Sequence, residues 1–457
     1  MRHCVSNLQL TPVIVRGLSR SSTGAKEFLD MEKSHLSGIV LAILLILSPL
    51  LSYGSATTVP SSHPEISSFI NQVWETNPGI QSAEAEVMSA RANASALSRP
   101  IYNPELELDG ERVHKDAQEN TYTVGISQTI DLFNKRGANR QVGQSSLAEA
   151  QALLAARKLS VGTTAFTALV DFNTAQEIAR LAQKRTKLLR SFVQLTEKKH
   201  AAGDLGQAAL DQSKLALSEA IAQQANIEIA LSQAKEVLAA ITNRIANTWP
   251  ALPNRLPQPP QLPSDQTRLL QQLPSLQMLQ YRANTANARI RVAKTNTRPD
   301  PTVSLRGGEE DKKALVGLTL SIPLFVRNNF HDQVVGANQD AIAADKARLD
   351  AYWHAKARLQ GSTSRYKTLF HSYNQWQKIS AGSLNGGIKL LDKLWDAGEI
   401  NTTDYLIQLK QRIDSQIAGA ELHGQTWRAW FQWLDASGNL NQWLRYDAQP
   451  HNRGIGK

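Results

Sequence analysis

From Tyr122 to Leu132 every even-numbered residue except Gln128 is apolar (Tyr122, Val124, Ile126, Ile130, Leu132), while the odd positions hold Thr, Gly, Ser, Thr and Asp. A period of two belongs to a strand with one apolar and one polar face. Directly after Phe133 the chain turns charged, and it runs for about sixty residues, Lys135 to Ala201, without a proline. That predicts a single very long helix. At 1.5 Å per residue such a helix is on the order of 100 Å long, too long for the core of an ordinary globular domain. A one-sided strand joined to it with almost no loop is the constraint every fold for this chain has to meet.

The pattern occurs twice. A helical stretch ends near Pro100 and another near Pro299; short strands follow at 104–113 and 301–308, and second strands at 121–133 and 314–325. Each pair leads into a long helix, a glycine turn (AAGDL at 201–205, DAGEI at 396–400) and a returning helix. The two copies lie about 195 residues apart throughout. Between them WPALPNRLPQPPQLP, residues 249–263, excludes helix and predicts an extended connector. The organisation read from this is a leader at 1–56, a first repeat at 57–248, the connector at 249–265, a second repeat at 266–437 and a tail at 438–457.

The strands decide the setting. Val316, Leu318, Leu320, Ile322 and Leu324 oppose Gly317, Thr319, Ser321 and Pro323, and Leu106 and Leu108 oppose Glu105, Glu107, Asp109 and Glu111. A half-buried sheet on a soluble core would alternate in the same way. Strand length and an export leader favour a β-barrel in an outer membrane. Four strands cannot close a barrel, and an open edge in lipid leaves backbone groups unpaired, so several copies of the chain must pool their strands. If Leu106 and Leu108 face lipid, the acids Glu105, Glu107, Asp109 and Glu111 face the lumen, where they would favour cations; a solvated polar face is the plainer reading.

Helical spacing supports the same picture. Leu147, Leu154, Val161, Leu169, Phe172, Leu181, Leu188, Phe192 and Leu195 form a seam on the first long helix, and Leu210, Leu217, Leu231, Leu238 and Ile245 share a heptad line broken by Gln224. Gly203 and Gly398 end their helices in a left-handed turn, so the hairpin tips lie far from the strands. WRAWFQWL at 427–434 reads as core packing of the last helix, with interfacial membrane contact as the alternative.

Residues 36–52, LSGIVLAILLILSPLLS, follow Lys33, contain Pro49 and lead to the small residues of GSA, which are the parts of a signal peptide cleaved near Ala56, with Met31 as the start. An uncleaved anchor is the alternative. The formal charge is +10, to which residues 1–56 bring five basic and three acidic side chains, leaving +8 for the rest. The cations are spread along helices and not gathered with aromatics, which argues against nucleic-acid binding. Cys4 is the single cysteine, so neither an intrachain disulfide nor a cysteine metal site is expected. No GxSxG, HExxH or GxxxxGK[ST] motif is present. The reading is therefore a non-enzymatic chain without cofactor or resident metal.

The duplicated helix, strand pair and hairpin order, with junctions IDLFNKRGANRQ (130–141) and IPLFVRNNF (322–330), resembles the TolC-like outer-membrane efflux proteins, and within them the heavy-metal cation efflux (CzcC-like) branch. The likeness covers about residues 65–435. It implies a mainly helical fold with transmembrane β structure: a homotrimer whose twelve-stranded barrel in the outer membrane of a Gram-negative bacterium continues as a periplasmic α-helical tunnel. It also implies a passive exit duct in a tripartite pump with a periplasmic adaptor and an inner-membrane transporter. Multidrug efflux or type I secretion, and a periplasmic coiled-coil adaptor or scaffold, are the alternatives. By the same resemblance Gly203, Asp204, Leu205, Gly398, Glu399 and Ile400 dock the adaptor, and Asp404 matches an acidic ring at the tunnel mouth. The position of a second ring is Ile407, which is not acidic.

Overall fold

The computed structural model describes residues 64–114, 118–246, 248–310, 312–384 and 387–445. The expected leader at 1–56, its cleavage site and the chain end after 445 lie outside them. In chain order the elements are α1 (Pro64–Thr76), α2 (Pro78–Ser98), β1 (Glu105–His114), β2 (Gln118–Thr129), α3 (Lys135–Ala201) and α4 (Gln207–Thr242). After an irregular connector come α5 (Thr267–Gln271), α6 (Pro274–Asn296), β3 (Thr302–Glu310), β4 (Lys313–Ser321), α7 (His331–Leu384), α8 (Gly387–Asp396), α9 (Thr402–Ser437) and α10 (Leu440–Arg445).

The duplication is visible in this order, and the repeats meet in one antiparallel sheet, β1-β2-β3-β4. The 67-residue α3 is the axis of the helical part and packs against α2, α4, α6 and α9, while α7 packs against α6 and α9. A window of α3 is long and apolar enough to cross a membrane on composition alone. Its Ala165, Phe166, Leu169 and Val170 are instead buried between helices.

Of the expected seam, Leu169, Phe172, Leu181 and Phe192 are buried, Leu147, Leu154, Val161 and Leu188 half-buried, and Leu195 is exposed. The heptad line on α4 is shorter than expected. Asn243, left-handed at φ 50°, stops the helix, which leaves Ile245 95% exposed.

A thick waist holds the largest core. Phe166 of α3 stacks on Phe431 of α9 at 4.3 Å, and Trp427, Trp430, Trp433 and Leu434 are buried around them, so WRAWFQWL is core. The connector reaches this waist without helix or strand, burying Leu256 and accepting the Asn173 amide at Pro250 O, 3.1 Å away. Two elements go beyond the sequence reading. In α1 Ile66, Phe69, Ile70 and Val73 form a buried stripe, and residues 440–445, expected within a tail, are the helix α10, whose Leu440 and Trp443 lie in the same core.

The strands stop sooner than their alternation. β2 ends at Thr129 and β4 at Ser321, leaving links at 130–134 and 322–330. The near absence of a loop therefore holds at the first junction and not at the second. Pro323 has no N–H to give the ladder, and the second link ends on Phe330 in a left-handed conformation at φ 58°.

Candidate functional site

The sheet leaves its aliphatic face exposed, unlike a sheet packed on a soluble core. In register, Leu106, Ile126, Leu305 and Leu318 form one rung, and Leu108, Val124, Gly307 and Val316 the next on the same face. These aliphatic side chains are exposed, from 54% at Leu305 to 82% at Val316. The opposite face carries Glu105, Ser127, Ser304 and Thr319 on one rung and Glu107, Gly125, Arg306 and Gly317 on the next. On this face the β2 residues Thr123 and Ser127 are covered, at 7% and 3% exposed, while Glu105, Asp109, Glu111, Arg306 and Thr319 stay exposed. Water would select the opposite arrangement, because exposed aliphatic area costs about 25 cal/mol per Å². A lipid surround removes that cost. The four acids picked out from the sequence, Glu105, Glu107, Asp109 and Glu111, all register on the polar face, beside Arg306, which sequence reasoning missed because a single arginine in a strand carries no pattern.

Below the sheet, the first junction ties the repeats together. Asp131 accepts the backbone N–H groups of Lys135 and Arg136, both at 2.8 Å, and the Asn134 side chain accepts that of Gly137. These are the donors a helix start leaves free, so α3 begins at once. Lys135 Nζ lies 2.9 Å from Asp300, whose side chain is 2% exposed, and the Tyr102 hydroxyl donates to the same carboxylate at 2.8 Å. The phenol is pushed up to about 12 by burial and by that bond, so it stays a donor at physiological pH. Ile130 N donates to Pro301 O, Thr129 and Thr302 share a hydroxyl hydrogen bond at 2.8 Å, and Arg298 lies over the Phe133 ring. The entries to β1 and β3 and the exit from β2 are thus one cross-linked knot.

At the far end the two hairpin tips have the same geometry. Gly203 and Gly398 sit at φ 82° and 77°, Asp204 N donates to Lys199 O, and Glu399 N donates to Leu394 O, each at 2.9 Å. That is the six-to-one bond of a Schellman turn, which requires a residue free to take positive φ. Leu205 and Ile400 follow at half-buried positions. Asn401 caps α9 by accepting the Asp404 N–H at 2.9 Å. This places the exposed Asp404 in the first turn, where the helix dipole favours an anion. Ile407, one turn on, is 57% exposed.

Behind the tips Phe192 stacks on Tyr405 at 4.2 Å, Trp395 meets Phe192 edge-on, and Lys199 of the first hairpin covers Trp395 at 4.1 Å. The hairpins are further joined by Thr403 to Gln212, Lys410 to Glu219 and Arg185 to Asp414. Two helices keep apolar residues that stay exposed among the described residues: Leu215 and Ile229 on α4, and Val335, Ile342 and Leu349, spaced by sevens, on α7. Among the described residues no three His, Cys, Asp or Glu side chains gather as a metal-binding group.

Residues 69–244 match the family described as outer membrane efflux protein. The chain is similar to the cobalt-zinc-cadmium resistance protein CzcC of Cupriavidus metallidurans, 24% identical over 76% of this chain and 84% of that one. It is also similar to the nickel-cobalt-cadmium resistance protein NccC of Alcaligenes xylosoxydans, 26% identical over 69% and 72%. Among solved structures it shares the fold of CusC, with a TM-score of 0.71 at 14% identity over 83% of this chain and 93% of that one. The Campylobacter jejuni outer membrane channel CmeC gives 0.67 at 15% identity over 85% and 90%.

Proposed function

We infer that this TolC-like outer membrane efflux protein is the outer-membrane duct of a tripartite pump for divalent heavy-metal cations. The observation that carries the reading is the sheet with an exposed aliphatic face and a polar face opposite, joined by the short link 130–134 to a helix on the order of 100 Å long. Lipid accounts for the first half and a periplasmic tunnel wall for the second. The metal cargo is supported by the relatives, which are named for resistance to cobalt, zinc, cadmium and nickel.

The open edges of β1 and β4 support assembly with further copies, and the family likeness implies a homotrimer, in which three copies would complete a twelve-stranded barrel and satisfy their backbone groups. The uncovered stripes on α4 and α7 supply apolar contacts for the same assembly. In this reading the tips at Gly203, Asp204, Leu205, Gly398, Glu399 and Ile400 meet the adaptor, with Asp404 facing the tunnel mouth. Glu105, Glu107, Asp109 and Glu111 line the barrel lumen. Transport energy and cargo choice would come from the inner-membrane transporter, because a duct that bound its cargo tightly would slow release.

Deleting the chromosomal copy should lower the tolerated cobalt, zinc or cadmium concentration several-fold, and a plasmid copy should restore it. The protein should stay with outer membranes after a carbonate wash. Unchanged metal tolerance together with lost tolerance of an organic drug would overturn the cargo, and recovery in the soluble fraction would overturn the duct.

A further inference from the structure

One polar-face rung is built around an arginine. Glu107, Gly125, Arg306 and Gly317 lie at the same height on β1, β2, β3 and β4. A Cβ added to Gly317 would stand 3.0 Å from Arg306 Nε, 3.2 Å from its Cγ and 3.7 Å from its Cδ. The arginine stem therefore runs flat across the glycine on the neighbouring strand instead of standing off the sheet. Gly125 has the same role between the pair: its absent Cβ would meet Arg306 Cβ at 3.2 Å and Glu107 Oε2 at 3.5 Å. Ser304 donates to the other Glu107 oxygen at 3.5 Å. Arg306 is exposed, and none of the ion pairs among the described residues includes it. The rungs on either side bring Glu105 and Asp109.

Such an arrangement has two consequences, one electrical and one steric, if this face lines the bore. An unpaired guanidinium at one height weakens the attraction that the flanking carboxylates offer to a passing cation. Lying against the wall, it does so without narrowing the passage. We propose that Arg306 sets the charge selectivity of the duct, and that Gly317 is the seat that keeps its side chain out of the lumen. The proposal rests on the outer-membrane channel reading above and adds a specificity-determining position to it.

Purified full-length protein in planar bilayers tests it through reversal potentials in a salt gradient. Arg306→Ala and Arg306→Gln should each raise the cation-over-anion permeability ratio by about twofold, the size expected of a unit charge acting across several ångströms of water. Gly317→Ala should lift the arginine from its seat, lowering both the conductance and the permeability ratio. In the Arg306→Ala background the same glycine change should have no effect. Unchanged reversal potentials in both arginine variants would overturn the proposal, as would a Gly317→Ala effect of equal size with and without Arg306. Should Gly317→Ala fail to assemble, the two arginine variants decide alone. Wild-type protein that inserts yet passes no current sinks the channel reading itself, a different failure from selectivity that ignores Arg306.

Discussion

Lys135, Asp300 and Tyr102 illustrate how little of an energetic centre is visible in sequence, since the three are brought together from the start of α3 and from the links that enter β3 and β1. Removing one member of a buried pair strands the other, at about 3–5 kcal/mol, whereas replacing both with apolar groups is nearly neutral. Asp300→Leu alone should therefore lower the melting temperature of the detergent-solubilised protein strongly, and Lys135→Met with Asp300→Leu should recover most of the loss. A second residue-scale prediction concerns His423. Its Nε2 accepts the Trp427 indole N–H at 3.2 Å, and burial pushes the imidazole below its usual value. The unfolded chain then takes up the proton first, so stability present above the ordinary histidine value of about 6.5 falls as pH drops through it. Melting at pH 7.5 and 5.5 should differ in the wild type, and the difference should shrink in His423→Gln.

Elements were legible where the pattern was long or doubled. The strand alternation, the proline-free α3 and the paired glycine tips all follow from residues 104 to 405 read in order, because burial in lipid or in a coiled-coil seam imposes a strict period. What escaped reading was short or tertiary. α1 and α10 are helices of 13 and 6 residues whose Phe69 and Trp443 pack on Phe166 of α3, and β4 ends early at Ser321, two residues before a proline whose effect the alternation conceals. Regions dominated by contacts between distant residues leave no local trace. The tips, by contrast, make a local prediction. Gly203→Ala and Gly398→Ala each force a side chain into positive φ, at about 1 kcal/mol. Amide exchange at residues 199–205 or 394–400 should speed up about fivefold in the matching variant and stay unchanged in the other hairpin.

For the whole molecule the uncovered heptad line on α7 is the most exposed commitment. Ile342→Glu with Leu349→Glu should convert the expected trimer to smaller species on size measurement in mild detergent. A trimer that survives both charges would move the subunit contact elsewhere. The inside-out sheet carries one more implication. Before it reaches the bilayer, a newly exported copy would present rows of leucine, isoleucine and valine to water, a surface on which proteins aggregate. The strands therefore have reason to remain unformed, or to be shielded by a holding factor, during transit, with their pairing completed only as hydrocarbon becomes available. Arrival, folding and association would then be a single event.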